Sequence, residues 1–355
     1  MIVDVIKNHT IIGLIGHKAK YFALGIKGSI DVAKQESYYP DMPRKSYIKR
    51  IADTVAWYLR NREVCDFYNA YGLDVVDLHK MEDYCDYRSF KRQRDELNGR
   101  SSLGTQTGLL RDKYAFYVYM TRFQLPVPEV FGICIEGKLY NENMKQVSID
   151  ELRGERDYFV KEIDGECASF VIHVNTYEDL KKYSEQILSR NCIFQRRMVQ
   201  HKEMNRLNPN AVNTLRIVTV YNAGKPQVLT AKIRIGTKAT GCVDNSAAGG
   251  ISVGISKEGR LQKWGIRKPD FGGRVTSHPD TGVIFEEFIV PYYEQAVKLA
   301  CEAHEKYYRV HSIGWDIAIS EEGPVFIEGN DNWEMTAMQL CNGGLKEIWN
   351  SVIGK

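Results

Sequence analysis

The sequence holds no pair of cysteines spaced Cys-x-x-Cys. Its eight cysteines (Cys65, Cys85, Cys134, Cys167, Cys192, Cys242, Cys301, Cys341) are scattered. That pattern argues against a zinc site or a disulfide frame and suits reduced thiols in a cytoplasm. No apolar run approaches the roughly 18–20 residues a helix needs to span a bilayer. An excess of one charge is missing too. A net charge of +3 over 355 residues argues against a dedicated nucleic-acid binder, although local basic patches stay open. The N-terminal stretch MIVDVIKNHTIIGLIGHKAK contains a short apolar run, but Asp4 precedes it and no small-residue cleavage site follows. It does not read as a signal peptide. Internal repeats, low-complexity linkers and the motifs of zinc, haem, flavin and P-loop sites are absent. What is left is ordinary for a globular protein, with 43% apolar and 26% charged residues. The length allows a large core and two or three subdomains.

The first hundred residues read as helical. Ile48, Ile51, Val55 and Leu59 mark one apolar helix face, and Val64, Phe67, Tyr68 and Tyr71 mark the next, which Gly72 ends. Residues 80–105 are strongly polar, and their end reads as a boundary loop. A helix over 111–123 stops before LPVPEVFG, where Pro126 and Pro128 force extended backbone. YFVKEI (158–163) and FVIHV (170–174) are strands flanking the small-residue turn DGECAS, and CIFQRRMVQ is another. Thr176 caps the helix between them, with Asp179 three residues on. LRIVTVYN, PQVLTAKIRIG and GGISVGIS form a β-rich half. A helix with Pro291 at its start buries Ala296, Leu299, Ala300, Ala303 and Tyr307. Two successive α+β units, helices on antiparallel sheets, are the expected architecture. The expected divisions are a helix-rich region over 1–104, a first subdomain over 105–200 and a second over 201–355.

GWDIAISEEGPVFIEGN (314–330) carries acids inside two apolar runs. With the turn centred on Glu322, Asp316 and Glu328 stand opposite each other, and Asn330 shares their face by alternation. Like charges that close repel unless a proton or cation lies between them. Two carboxylates and an amide oxygen are hard ligands that suit Mg²⁺ carrying phosphates. The plain alternative is a hairpin whose acids face solvent. Lys161, leaving a strand beside DGECAS, suits a phosphate; the alternative is a solvated strand-end lysine. Arg216 and Arg234 are in-strand cations, open to the same two readings. VDNSAAGG (243–250) is a glycine-ended loop through which backbone can approach a ligand; the alternative is a plain hairpin connection.

The order of Asp112 and Lys113 opening a helix, Val160 and Lys161 before a small-residue loop, the segment Ile193–Val199, then NTLR, AKIR, VDN…GG, GWDIAI and FIEGN resembles the ATP-grasp fold. More narrowly, it resembles the sugar-transfer-associated ATP-grasp group of carboxylate–amine ligase relatives. The resemblance covers roughly 105–345, and the helical N-terminal region with YYPDMPRKS also looks like that group. It implies ATP and Mg²⁺ as cofactors. By analogy Lys113, Lys161 and Ser169 contact ATP, Arg197, Met198 and Val199 supply a hinge to the adenine, and Glu203 meets the ribose. Arg216, Arg234 and Asn245 would hold the transferred phosphoryl group, and Asp316, Glu328 and Asn330 the metal. Departures are Arg196 where many members carry a hinge acid, a single glycine in DGECAS, and Gly314 where some relatives carry arginine.

The implied reaction is ADP-forming amide synthesis through an acyl phosphate, with a carboxylate and an amine as substrates. Decoration of a cell-surface polysaccharide, or a related envelope or secondary-metabolite step, is the expected setting. His278 in SHPDTG is a candidate acceptor-site residue, or else caps a turn. Competing readings are a kinase of a hydroxyl acceptor and a non-catalytic nucleotide-binding partner of a glycosyltransferase. A homodimer, a cytoplasmic location, no nucleic acid and no membrane span complete the expectations.

Overall fold

In a computed structural model, residues 11–99, 105–165, 170–241, 249–268 and 271–354 are described. The chain divides into two compact units. One takes residues 11–92 with Met335–Glu347, and the other takes 93–334 with 348–354. The expected division at 104 therefore moves, and a C-terminal segment returns to the first unit.

The first unit contains helices α1 (Ile11–Lys34) and α2 (Tyr47–Asn61). Ser46 caps α2 by accepting a hydrogen bond from the Lys49 amide. The face that α2 buries is not the predicted apolar stripe. Asp53, Thr54, Trp57 and Tyr58 are inside, while Ile48 is 80% exposed and Leu59 is also outside. The reason is polar: the Asp53 carboxylate accepts from Lys45 and from the Tyr68 hydroxyl, each at 3.0 Å, and Lys49 joins it at 3.1 Å. A satisfied network of this kind fixes one orientation of the helix. The predicted helix over Val64–Tyr71 is instead a run of turns. Tyr68 and Tyr71 pack with Val32, Trp57, Leu73 and Tyr84 in the core of this unit. Segment Met335–Asn342 adds Gln339, whose side-chain oxygen accepts from the Cys85 amide at 2.7 Å.

The second unit begins within helix α3 (Tyr87–Leu97). Its first sheet holds β1 (Val130–Ile135), β2 (Lys138–Asn141), β3 (Gln146–Val147), β4 (Tyr158–Glu162), β5 (Val171–Val174) and β6 (Cys192–Arg196), in the order β3-β2-β1-β6-β4-β5. Helix α4 (Lys113–Arg122) precedes it, and helix α5 (Tyr177–Leu188) opens on the Thr176–Asp179 capping box that the sequence signals. Phe131, Tyr158, Val160, Phe194, Leu180 and Ile187 share its core.

The second sheet holds β7 (Thr214–Asn222), β8 (Lys225–Ile235), β9 (Ile251–Ile255), β10 (Leu261–Ile266), β11 (Arg274–Val275), β12 (Ser312–Ser320) and β13 (Gly323–Asn330), in the order β11-β10-β9-β8-β7-β12-β13. All neighbouring pairs in both sheets are antiparallel. Helix α6 (Lys202–Leu207) enters it, and helix α7 (Tyr293–Lys306) covers one face. Ala296, Ala300, Ala303 and Tyr307 pack with Leu215, Ile217, Ile233, Trp315 and Ile317. β1 and β10 are strands that sequence alternation does not announce. Among the described residues no helix is long and apolar enough to cross a membrane.

A charged sheet face and its cleft

One face of the second sheet is apolar because α7 covers it. The other face carries charge. Glu328 stands across from Asp316, Asp316 from Arg216, and Arg216 from Lys232. Cross-strand partners share a face, so these four side chains form one row over β13, β12, β7 and β8. Arg234, two residues beyond Lys232, and Thr214 opposite it form the next row.

The hairpin reaches this register in a way the sequence does not show. The turn contains only Glu321 and Glu322, between Ser320 and Gly323. It does not centre on Glu322. A regular ladder from that turn would set Ile327 opposite Asp316. A β-bulge after Phe326 adds one residue, so Ile317 faces Phe326 while Asp316 faces Glu328. The bulge lets Phe326 stay in the core while Glu328 turns to the charged face.

Asp316 is 2% exposed and is held by two arginines. The Arg216 Nε and a terminal nitrogen donate to its two oxygens at 2.5 and 2.9 Å, and an Arg234 nitrogen lies 2.9 Å from Oδ2. Arg234 also donates to the Thr214 hydroxyl at 2.8 and 3.0 Å. The Asn330 amide reaches Asp316 Oδ2 at 3.4 Å. Burial would raise the Asp316 carboxyl, but the Arg216 and Arg234 charges outweigh it and hold the group below the usual carboxylate range. Glu328 differs. Among the described residues its carboxylate makes no hydrogen bond and no ion pair, and it lines the cleft half-buried. Gly314, where some relatives of the expected group carry arginine, has no room for a side chain: an added Cβ would lie 2.7 Å from Trp333 Cβ. Arg216 and Arg234 supply the positive charge instead.

The first sheet faces the same cleft. Lys161 on β4 donates to the side-chain oxygen of Gln195 on β6 at 2.8 Å. Burial lowers its pKa, the Glu328 carboxylate raises it, and Lys113 lowers it again. Lys113 opens α4, whose cap is the Asp112 side chain accepting from the Ala115 amide, and donates to the Gly165 carbonyl at 2.6 Å. The cleft has a volume of about 610 Å³, within the range of small-ligand sites. Lys113, Lys161, Met198, Arg216, Arg234, Asp316, Glu328 and Asn330 all line it.

Other expected site residues do not. The Arg197 side chain turns to Asp157 at 3.3 Å, and its amide donates to the Asp157 carbonyl. Val199 is 71% exposed outside the cleft. Glu203 is turned away by Arg206, 2.7 Å off within α6. His278 is buried away from the cleft. One ring nitrogen lies 2.8 Å from the Gly236 carbonyl, and the other faces the amides of Asp280 and Thr281; it caps a turn. Ser169 and Asn245 lie outside the described residues. Arg196, in place of a hinge acid, pairs with Glu129 and Glu155 and caps the Phe131 ring at 4.5 Å.

Several residues of this site were not anticipated. Lys232 is 5% exposed and donates to the Ser252 hydroxyl at 3.0 Å; its position two before Arg234 was the available signal. Asp331 is buried and receives Arg111 in a two-pronged pair at 3.0 and 2.6 Å. Asn98 donates to the carbonyls of Ser312 and Asp331 at 3.0 and 2.9 Å, and Arg94 donates to the Trp333 carbonyl at 2.5 Å. The polar stretch read as a boundary thus anchors both ends of the acid-bearing hairpin.

Comparison with known proteins gives one family. The model described as sugar-transfer associated ATP-grasp matches residues 92–352. No curated protein matches the sequence. Similar solved structures include an L-amino acid ligase from Bacillus licheniformis (11% identity, TM-score 0.38, covering 63% of this chain and 41% of that one). A biotin carboxylase–β-γ-ATP complex from Campylobacter jejuni is another (9%, 0.44, 70% and 47%), as is a D-alanine-D-alanine ligase from Coxiella burnetii (11%, 0.39, 69% and 58%). The chain spans less than half the length of the first two.

Proposed function

The chain belongs to the sugar-transfer associated ATP-grasp family, and on that premise we propose that it is an ATP- and Mg²⁺-dependent ligase joining a carboxylate to an amine. The Glu328 carboxylate carries this reading. A half-buried acid without a partner, directly across from a second acid and beside a lysine, is costly unless a cation completes it.

The residues fit a nucleotide with a divalent cation. Lys161 and Lys113 offer ammonium groups to the phosphates. Glu328 and Asn330 offer hard oxygens to the metal, and Asp316 adds a third once a guanidinium releases it. The cation would screen the phosphate charges and stabilise the developing negative charge of the transferred group. Arg216 and Arg234, paired with Asp316 in the free protein, are placed to exchange that carboxylate for the phosphoryl oxygens. Met198 contributes apolar surface to the nucleotide base.

A substrate carboxylate oxygen attacks the γ-phosphorus, the bond to the β–γ bridging oxygen breaks, and ADP leaves. The acyl phosphate is then attacked at carbon by an amine, which loses a proton as phosphate departs. The protein positions and stabilises charge and needs no nucleophile of its own. An envelope glycan or secondary metabolite is the setting we propose for the acceptor. The test is ADP release across pairs of acids and amines. Release that requires both partners supports the ligase. Release with a hydroxyl compound alone would make the protein a kinase.

A further inference from the structure

The charged face of the second sheet continues past Arg234. Arg234 stands across from Ser252, Ser252 from Ile266, and Ile266 from Arg274. Arg274, on edge strand β11, therefore shares the face of Arg234 at three strand spacings, about 14 Å along the sheet. Trp264 lies two residues before Ile266, and the Arg274 guanidinium carbon is 3.5 Å from its ring centroid. Four of the five tryptophans are buried; Trp264 alone is partly exposed.

The charge around it is one-sided. Residues 257–274 hold six basic residues and two acidic ones, a net +4, whereas the whole chain carries +3. Among the described residues, Lys257, Arg260, Lys263, Arg267 and Lys268 make no ion pair, and the Nε of Arg267 is buried without a hydrogen-bond partner. The opposite edge of the same face, at β12 and β13, meets Lys161 and Lys113 in the cleft. The cleft lysines thus stand at one edge of the sheet and the basic stretch at the other.

We propose that the carboxylate substrate is an elongated polycarboxylate. Its reacting group lies at Arg216 and Arg234, a second acidic group about 14 Å away meets Arg274, and the part between lies against Trp264. The proposal rests on the reading of the cleft as a carboxylate-activating site. It gives the net +4 over residues 257–274 a role: that charge selects long acidic acceptors over neutral or short ones.

Tryptophan fluorescence titration tests it, because Trp264 is the solvent-accessible reporter. The probes are trigalacturonate, tetraglutamate, neutral maltotriose and a ten-residue oligothymidylate. One of the two polycarboxylates is expected to bind at least tenfold more tightly than maltotriose, and which one does identifies a carbohydrate or a peptide source. The signal is lost in Trp264→Phe. Arg274→Gln weakens binding at least tenfold with affinity for an ATP analogue unchanged, and the exposed pair Lys263→Gln and Lys268→Gln weakens it about threefold. Equal binding of maltotriose, equal binding of oligothymidylate, or indifference to Arg274→Gln overturns the proposal. So does failure of every probe in protein that still binds the ATP analogue with Mg²⁺. Failure of the analogue itself would instead overturn the reading of the cleft.

Discussion

At the residue scale, the two acids on the hairpin's strands, Asp316 and Glu328, have opposite roles in the free protein. Asp316 is neutralised and contributes stability; Glu328 is unpartnered. Because the Asp316 carboxyl is held below its ordinary value of 3.8, its contribution is present above that pH and is lost as pH falls through the lowered value. Asp316→Asn should cost about 3 kcal/mol at neutral pH, since it leaves two guanidinium groups facing an amide. It should also flatten the acid limb of stability below about pH 4. Thermal unfolding across pH 2–7 measures both, and an unchanged acid limb would contradict the pairing. Lys161 makes a separate prediction. Lys161→Ala should weaken nucleotide binding at least tenfold, while exposed Lys202→Ala, outside the cleft, should leave it unchanged. Equal losses in both would remove Lys161 from the phosphate site.

At the scale of elements, much of the site was legible because its residues lie on strands whose apolar partners mark them. The pairing of Asp316 with Glu328 was legible from the hairpin, although the bulge after Phe326 that produces it was not: a bulge leaves no mark on composition. The apolar stripe of α2 gives the wrong face because polar contacts from Lys45, Lys49 and Tyr68 to Asp53 decide its orientation, and an apolar count does not weigh a buried acid. Helix α7 offers an independent check of the sheet it covers. His304 is fully buried there, 2.7 Å from the Thr219 hydroxyl and 2.8 Å from the Val310 carbonyl. Burial lowers its pKa to about 4 from 6.5, so the unfolded chain binds more protons between those values. Stability should fall by about 3 kcal/mol as pH drops from 6.5 to 4. His79, His278 and His311 are lowered by burial too, so His304→Gln should reduce the slope by that amount without abolishing it; a variant with an undiminished slope would place the titration elsewhere.

At the scale of the whole chain, membership of the ATP-grasp family accounts for the order of motifs, and the cleft accounts for their convergence. The division of the chain was less legible. The return of Met335–Glu347 to the helical unit depends on contacts such as Gln339 with Cys85, 254 positions apart, which no local pattern announces. The central claim is that Glu328 completes a nucleotide–metal site. Calorimetric binding of a non-hydrolysable ATP analogue, with and without Mg²⁺, to the wild type and to Glu328→Ala tests it most directly. The account predicts Mg²⁺-enhanced binding in the wild type, loss of that enhancement in the variant, and an unfolding temperature changed little, because no folded-state partner is removed. Equal Mg²⁺ enhancement in both proteins would contradict it.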